Sequence, residues 1–378
     1  MGLFMTTWKI AEAFPPGEFI KDELEARGWL QTDLASILGR NTGTISQIIS
    51  GKQPINPELA RALSAAFGTS AEYWMNLQTA YELWKVQESS DEKAIQRRAR
   101  LHDKVPLKEL LRRKWIESSE SVDVLEQRVC EFLEIDSITD EPAMGFAARK
   151  TGSHVEPTQP SLIAWMKRSK FLAKGVHAER YTEKKLRDVL PRLRNYMQNA
   201  EDIRHVPRLL AEAGVRLVAV EHLPQTKVDG VTFWLDKHSP VIVLSLRYDR
   251  LDWFWHTLLH EIDHVLHGEG VTAPCIDDLA ELSPSRPPEE IRCDDFAATF
   301  SIDRSSLEDF IARVHPYFTP EKATGFAMRM RVHPAVAAGQ VRNRLNNYSV
   351  LSTLVSIKIR PLLLDSVMCD GWGHSVTS

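Results

Sequence analysis

Residues 256–268 read HTLLHEIDHVLHG, which places two histidines four apart with a glutamate directly after the first. On a helix, His260 and His264 leave the same face and can grip one cation. Glu261 projects about 100° further round, where it can take a proton from water activated by that cation. Hydrolysis of this kind needs nitrogen and oxygen ligands and an open coordination position, which suits Zn2+. The segment opening at Pro288 offers a third ligand, because Glu290 and Asp294 stand four apart on one helix face. Glu290 suits the ligand role, and Asp294 suits the acceptor that orients an imidazole. Glu289 is read as an acid stabilising a helix N-terminus.

Neighbouring groups narrow the reading. His256 lies one turn before His260, but a third imidazole beside Glu290 would close the site, so it is set aside. His267 fits a cation or cap at a helix C-terminus. His333, just before Pro334, is a candidate oxyanion stabiliser, with helix capping as the plainer alternative. Cys293 is read as a small packing residue, although its thiol sits where it could poison or redox-tune the site. Asp263 is harmless if exposed; turned inward, it would alter the electrostatics beside the cation.

A second constellation lies at residues 31–52, QTDLASILGRNTGTISQIISGK. Leu34, Ala35 and Leu38 form an apolar face, and Gly39 permits a tight turn. Thr42 is the expected cap of a second helix, in which Ile45, Ile48 and Ile49 repeat at helical spacing. Gly51 stops it. That helix turns Gly43, Thr44, Gln47 and Ser50 outward, where side chains can reach base edges in a major groove. Gln31, Ser46 and Lys52 are placed for phosphates. Glutamine suits bidentate contact with adenine, so the expected partner is a double-stranded DNA operator. The alternatives are a protein-interaction module and a plain helical hairpin. Gly17 to Gln78 holds five basic and seven acidic residues, so this reading does not rest on bulk charge.

The elements that must carry these groups follow from periodicity. The 256–268 helix is apolar on its far face through Phe254, Leu258, Leu259, Ile262, Val265 and Leu266. Short helices are expected from Pro16 to Trp84, then charged helices to about Arg204. Val215–Val220, Val231–Leu235 and Val241–Leu246 read as a small strand meander. Helices are expected at Leu251–His267, Pro288–Phe300, Ser305–Val314, Pro320–Met330 and Pro334–Leu345, with loops at Pro157–Pro160 and Ser283–Pro288. The fold class is multidomain. An all-α helix-turn-helix domain (1–84) leads through a charged helical connector (85–205) to an α+β domain (206–347). A C-terminal tail (348–378) follows, whose Leu-rich segment is offered as a dimer contact.

Two resemblances sharpen this. PPGEFIKDELEARGWLQTDLASILGRNTGTISQIISGKQPINPELARALSAAFGTSAEYWMNLQ resembles the Cro/repressor-type (XRE) helix-turn-helix of HigA-type antitoxins, across residues 15–78 almost without gaps. That likeness implies an operator-binding regulator of bacterial or phage origin, acting as a homodimer. The HEIDH helix followed by Glu290-xxx-Asp294-x-Phe296-Ala297 resembles the ImmA/IrrE family of metallopeptidases. Lys227–Gly230, Ser245–Tyr248 and Val332–Gly339 extend the likeness over about 206–347. It implies a zincin-like metallopeptidase fold, with His260, His264 and Glu290 as zinc ligands and Glu261 as base. It also implies a protein or peptide substrate: a partner repressor or toxin, or this chain's own connector. The sequence departs from the family pattern at Asp263, where glycine is usual, and at Cys293-Asp294, which replaces Ala-Asn.

Composition bounds the rest. With 378 residues, 43% hydrophobic and 26% charged, the chain is neither disordered nor fibrous. Tyr348–Leu364 is interrupted by Lys358, Arg360 and Pro361, so no membrane span is expected. The opening MGLFMTTWKIAEAF lacks the layout of a secretory signal. Four cysteines without a CxxC pair suit a reducing cytoplasm. The net charge of −4 argues against nucleic acid at first sight, but it is a sum of opposed blocks. Arg97–Lys114 has eight basic and two acidic residues, Trp115–Glu141 one and nine, and Pro142–His205 thirteen and six. The last block is a candidate source of phosphate attraction.

Overall fold

The computed structural model describes residues 13–86, 90–142, 149–150, 160–277, 287–363 and 368–370. The opening stretch through residue 12, the loops at 157–159 and 283–286, and the end of the tail lie outside the described residues. The chain divides into two compact units, 1–96 and 97–378, and the boundary falls inside one helix.

The first unit holds α1 (Pro16–Arg27), α2 (Gln31–Ile37), α3 (Thr42–Ile49), α4 (Pro57–Phe67) and α5 (Ala71–Lys85). Their ends are written into the sequence. Asn56 and Ser70 accept backbone N–H groups at the starts of α4 and α5, and left-handed Gly28 and Gly68 end α1 and α4. Ile20, Leu34, Ile45, Leu59, Leu63 and Trp74 fill the core, each contributing roughly 1.5–3 kcal/mol on burial. Gly17 has no room for a side chain: a Cβ there would stand 2.0 Å from the Ile49 carbonyl, so α1 lies directly on the end of α3.

α6 (Ser90–Lys104) crosses the boundary. The second unit continues with α7 (Leu107–Arg112), α8 (Val122–Leu133), α9 (Pro160–Gly175), α10 (Glu183–Tyr196) and α11 (Val206–Glu212). Then come α12 (Leu251–Leu266), α13 (Pro288–Ser301), α14 (Arg304–Val314), α15 (Pro320–Met330), α16 (Pro334–Arg344) and α17 (Arg360–Leu363). Its strands are β1 (Arg149–Lys150), β2 (Arg216–Val220), β3 (Gly230–Trp234), β4 (Pro240–Leu244), β5 (Cys275–Asp277) and β6 (Met368–Asp370). Prolines at the first turns of α13, α15 and α16 fix where these helices begin.

The expected meander is a mixed sheet instead, in the order β1-β5-β3-β4-β2-β6. Among the described residues only β3 and β4 form a hairpin, with Gly230 opposite Leu244 and Trp234 opposite Pro240. β2 runs parallel to β4. The physical reason is the PVIVL run of β4, which is buried at every position and therefore takes an interior place with neighbours on both sides. α12 covers β3 and β4, and α13 and α16 pack on α12. α9 joins through Trp165, fully buried, whose Nε1 donates to the Val220 carbonyl at 3.0 Å. The Leu-rich tail segment corrects another expectation. Leu351, Val355, Ile359 and Leu363 are buried in the unit's own core, which leaves these side chains unavailable as a dimer contact. No described helix is long and apolar enough to cross a membrane.

Candidate metal centre and nucleic-acid interface

α12 has buried residues on nearly every side, so its polar side chains are held inside the unit. His260, Glu261 and His264 are 0% exposed and Glu290, from the first turn of α13, is 4% exposed. The two imidazole Nε2 atoms stand 3.2 Å apart. Glu290 Oε2 lies 3.2 Å from His260 Nε2, and Oε1 lies 3.6 Å from His264 Nε2. A tetrahedral ion with bonds of roughly 2.0–2.1 Å holds its ligand atoms about 3.3–3.4 Å apart. These separations are close to what a zinc-sized ion held by both imidazoles and the Glu290 carboxylate would need.

Each imidazole is oriented from behind. His260 Nδ1 donates to Asp294 Oδ1 at 2.9 Å, the role expected for Asp294. Burial alone would raise the Asp294 carboxyl, but hydrogen bonds with His256 and His260 outweigh it and hold the group far below the usual range. The corresponding partner of His264 is Glu269, absent from the sequence reading: Nδ1 donates to its Oε2 at 2.6 Å. Glu269 follows the left-handed Gly268, and its N–H returns to the His264 carbonyl at 2.9 Å. Arg292 ties the arrangement together, with Nη2 2.7 Å from Glu269 Oε2 and Nε 2.7 Å from Asp263 Oδ2. A rule could have found Glu269. Two imidazoles expected to use Nε2 as ligands need Nδ1 acceptors, and an acid three residues past the end of α12 is within reach.

Glu261 is held by β3, where Thr232 Oγ1 donates to its Oε2 at 2.7 Å. Gly230 on the same strand makes the room: a Cβ there would lie 2.1 Å from Glu261 Oε1. Asp263 is turned inward, 3% exposed, but its charge is met by Arg292. Cys293 packs against it, with Sγ 3.3 Å from Asp263 Oδ2, and burial pushes the thiol up to about 11. Its sulfur also lies in a group with His260 and His264 whose ligand atoms are all within 4.8 Å of one another. His256 Nε2 points to Asp294 at 3.7 Å rather than to the ligand set. His267 takes a C-terminal place on α12, with Nδ1 2.8 Å from the Asp263 carbonyl. His333 is the N-cap of α16, where Nδ1 accepts the Ala335 N–H at 3.1 Å. That use is the capping alternative, and it occupies the nitrogen lone pair.

The first unit presents its candidates differently. α2 and α3 meet through Leu34, Ala35, Ile45, Ile48 and Ile49, and Gly39 and Gly51 take left-handed turns after each helix. Gln31, Thr42, Gly43, Ser46, Gln47, Ser50 and Lys52 are exposed, while Thr44 is half-buried. The cap of α3 is Asn41, not Thr42: Asn41 Oδ1 accepts the Thr44 N–H at 2.7 Å and the Thr44 hydroxyl at 2.9 Å. Asparagine is the better cap, and Thr42 becomes the first helical residue. The basic block at 142–205 is partly neutralised within its own unit. Lys167, Lys185, Arg187, Arg192 and Arg204 each pair with a glutamate, and Arg194 donates to three carbonyls.

The Helix-turn-helix family model matches residues 20–74, which run from within α1 to the first turn of α5. Antitoxin HigA-1 of Vibrio cholerae serotype O1 is 37% identical over 79 residues, covering 21% of this chain and 74% of that protein. An uncharacterised HTH-type transcriptional regulator of Haemophilus influenzae is 38% identical over 72 residues, covering 19% of this chain and 67% of that one. The chain belongs to the helix-turn-helix regulators. The match lies in the first unit. Among solved structures, a Pseudomonas aeruginosa protein crystallised with its 18-base-pair operator DNA is 33% identical. It covers 20% of this chain and 81% of that one, with a TM-score of 0.19.

Proposed function

We propose that this helix-turn-helix regulator is an operator-binding transcriptional regulator of the HigA-antitoxin kind. Its second unit, in this reading, carries a zinc-dependent peptidase centre like that of the ImmA/IrrE family. The DNA half is supported by the relatives of residues 20–74 and by the exposed, uncharged, donor-rich outer face of α3. Gln47 reads a base edge, and Gln31, Ser46 and Lys52 hold phosphates. Such regulators act as dimers, which doubles the few local cations available.

The observation that carries the hydrolytic half is the spacing of the two Nε2 atoms and the Glu290 carboxylate, 3.2 to 3.6 Å. Zinc, when bound, supplies a Lewis acid that polarises a carbonyl and makes water acidic. The chain's own groups do the rest. Asp294 and Glu269 fix both imidazoles in the Nδ1–H tautomer, leaving Nε2 as the ligand lone pair. Glu261 accepts a proton from water and passes it to the leaving amide nitrogen, steadied by Thr232. The substrate is a peptide segment of a partner repressor or toxin, or of this chain.

A second reading has its own support. Cys293 stands with His260 and His264, their ligand atoms within 4.8 Å of one another, and a thiolate ligand in place of water would close the site. The second unit would then sense a ligand or dimerise without catalysis. Three measurements separate these readings. Metal content of wild type against His260→Ala tests the centre. Cleavage of neighbouring gene products by wild type but not Glu261→Gln supports the peptidase, and identical outcomes for both proteins refute it. Loss of zinc in Cys293→Ala supports the closed site.

A further inference from the structure

Between α12, α13 and α16 lies a cavity of about 490 Å³. That volume is within the roughly 300–1,000 Å³ of small-molecule sites. Two donor-only side chains line it with N–H groups that have no partner among the described residues. Arg342 is 6% exposed; its Nη2 donates to the Tyr348 carbonyl, whereas Nε and Nη1 are buried and unsatisfied. Trp253 Nε1 is likewise buried and unsatisfied. Guanidinium and indole N–H groups cannot accept, so each of these N–H groups would gain from an acceptor brought to it.

The wall has two carboxylates, and both are committed. Asp252 is held by Arg250, with Nε 3.0 Å from Oδ1 and a second contact through Nη2. Asp294 is held by His260 and His256. The remaining surface is aromatic. Tyr248 and Trp253 rings lie 4.7 Å apart at 60°, and Tyr348 stands under the Arg342 guanidinium, 5.7 Å from its ring centre. Gln340 and Asn343 add neutral polar groups.

We propose that this cavity binds a small aromatic organic acid, its carboxylate on Arg342 and Trp253 Nε1 and its ring among Tyr248, Trp253 and Tyr348. A monoanion fits better than a phosphate. Among the described residues of the wall, Arg250 is paired with Asp252 and Arg342 is the cation that keeps unsatisfied N–H groups. It sits in the last turn of α16, where the helix end disfavours added negative charge. Carboxylate on guanidinium is also the geometry in which a charge-assisted pair is strongest.

The test is isothermal titration calorimetry on the full chain, with benzoate and phenylacetate as probes and benzamide as the uncharged match. Saturable binding at one site is expected, with benzamide weaker by about tenfold or more. Arg342→Gln should lower benzoate affinity by about tenfold or more, and Trp253→Phe by about threefold or more. Should Arg342→Gln fail to fold, Trp253→Phe decides, because it removes the N–H and keeps an aromatic ring. No saturable binding, equal affinity for benzamide, or a Trp253→Phe affinity matching wild type overturns the proposal. Tighter binding of the peptide Gly-Gly-Gly-Phe than of phenylacetate also overturns it and assigns the cavity to a chain terminus. The titrations use zinc-loaded protein and metal content is read separately, so failure here leaves the metal reading intact.

Discussion

α3 and α12 both carry candidate functional residues at helical spacing, yet they solve opposite problems. α3 buries Ile45, Ile48 and Ile49 and keeps its functional side chains in water, where most of them make few internal bonds. α12 buries its functional groups outright, so each must be met inside the protein. Asp294, Glu269, Arg292 and Thr232 meet them. The lesson is that function and stability separate on α3 and are coupled on α12.

The largest expected effect comes from breaking the buried set. His264→Ala takes from buried Glu290 one of its two imidazole partners and leaves a hole in the interior, and breaking a buried pair costs up to about 3–5 kcal/mol. Hydrogen exchange by mass spectrometry should show α12 and α13 losing protection while α1 to α5 keep theirs, and chelation of zinc from wild type should move the same helices in the same direction. Uniform loss across both units would erase the contrast.

Substituting the orienting acids should cost less. Asp294→Asn and Glu269→Gln are each expected to weaken zinc affinity about 10–100-fold, read by competition against a chromogenic chelator. Similar losses for the two would establish Glu269 as the equal of Asp294. If Glu269→Gln binds zinc like wild type, Arg292 rather than His264 is its true purpose.

On α3 the two properties should come apart. Asn41→Ala is expected to cost about 1 kcal/mol of stability through the lost cap. Gln47→Ala should leave unfolding within about 0.5 kcal/mol of wild type and yet lower discrimination among operator variants by about 1–3 kcal/mol. Gel shifts paired with thermal melts measure both. Binding unchanged in Gln47→Ala would remove it from the base-reading face.

These contrasts show what sequence could and could not carry. Helix positions were legible because prolines at 288, 320 and 334 and the apolar spacing of Ile45, Ile48 and Ile49 act locally. That His260 shares a face with His264, and Glu290 with Asp294, was legible because each pair is set by one helical turn. The parallel pairing of β2 with β4 was not, since it depends on which apolar strand wins the interior of the sheet. Arg292 escaped for a related reason: its partners Asp263 and Glu269 lie on another element, and only packing of α13 on α12 brings them together. The cap of α3 was placed one residue late because Asn41 and Thr42 both qualify by type, and backbone angles decide between them.

The smallest expected effect uses the two caps. Asn41 begins α3 with an amide that does not titrate, whereas His333 begins α16 with an imidazole that does. Burial lowers the His333 pKa from its ordinary 6.5, so the folded state takes up its proton less readily than the unfolded chain. Stability from this group is therefore complete above about pH 6.5 and declines as pH falls below it, levelling off once the folded-state value is passed. Protonation at Nδ1 also ends acceptance of the Ala335 N–H, which acts in the same direction. Urea unfolding at pH 7.5 and 5.5 should show wild type losing more stability than His333→Asn, which keeps a capping acceptor without the titration. Parallel losses in the two proteins would mean that the His333 proton is bound equally in both states and that the cap of α16 is as indifferent to pH as that of α3.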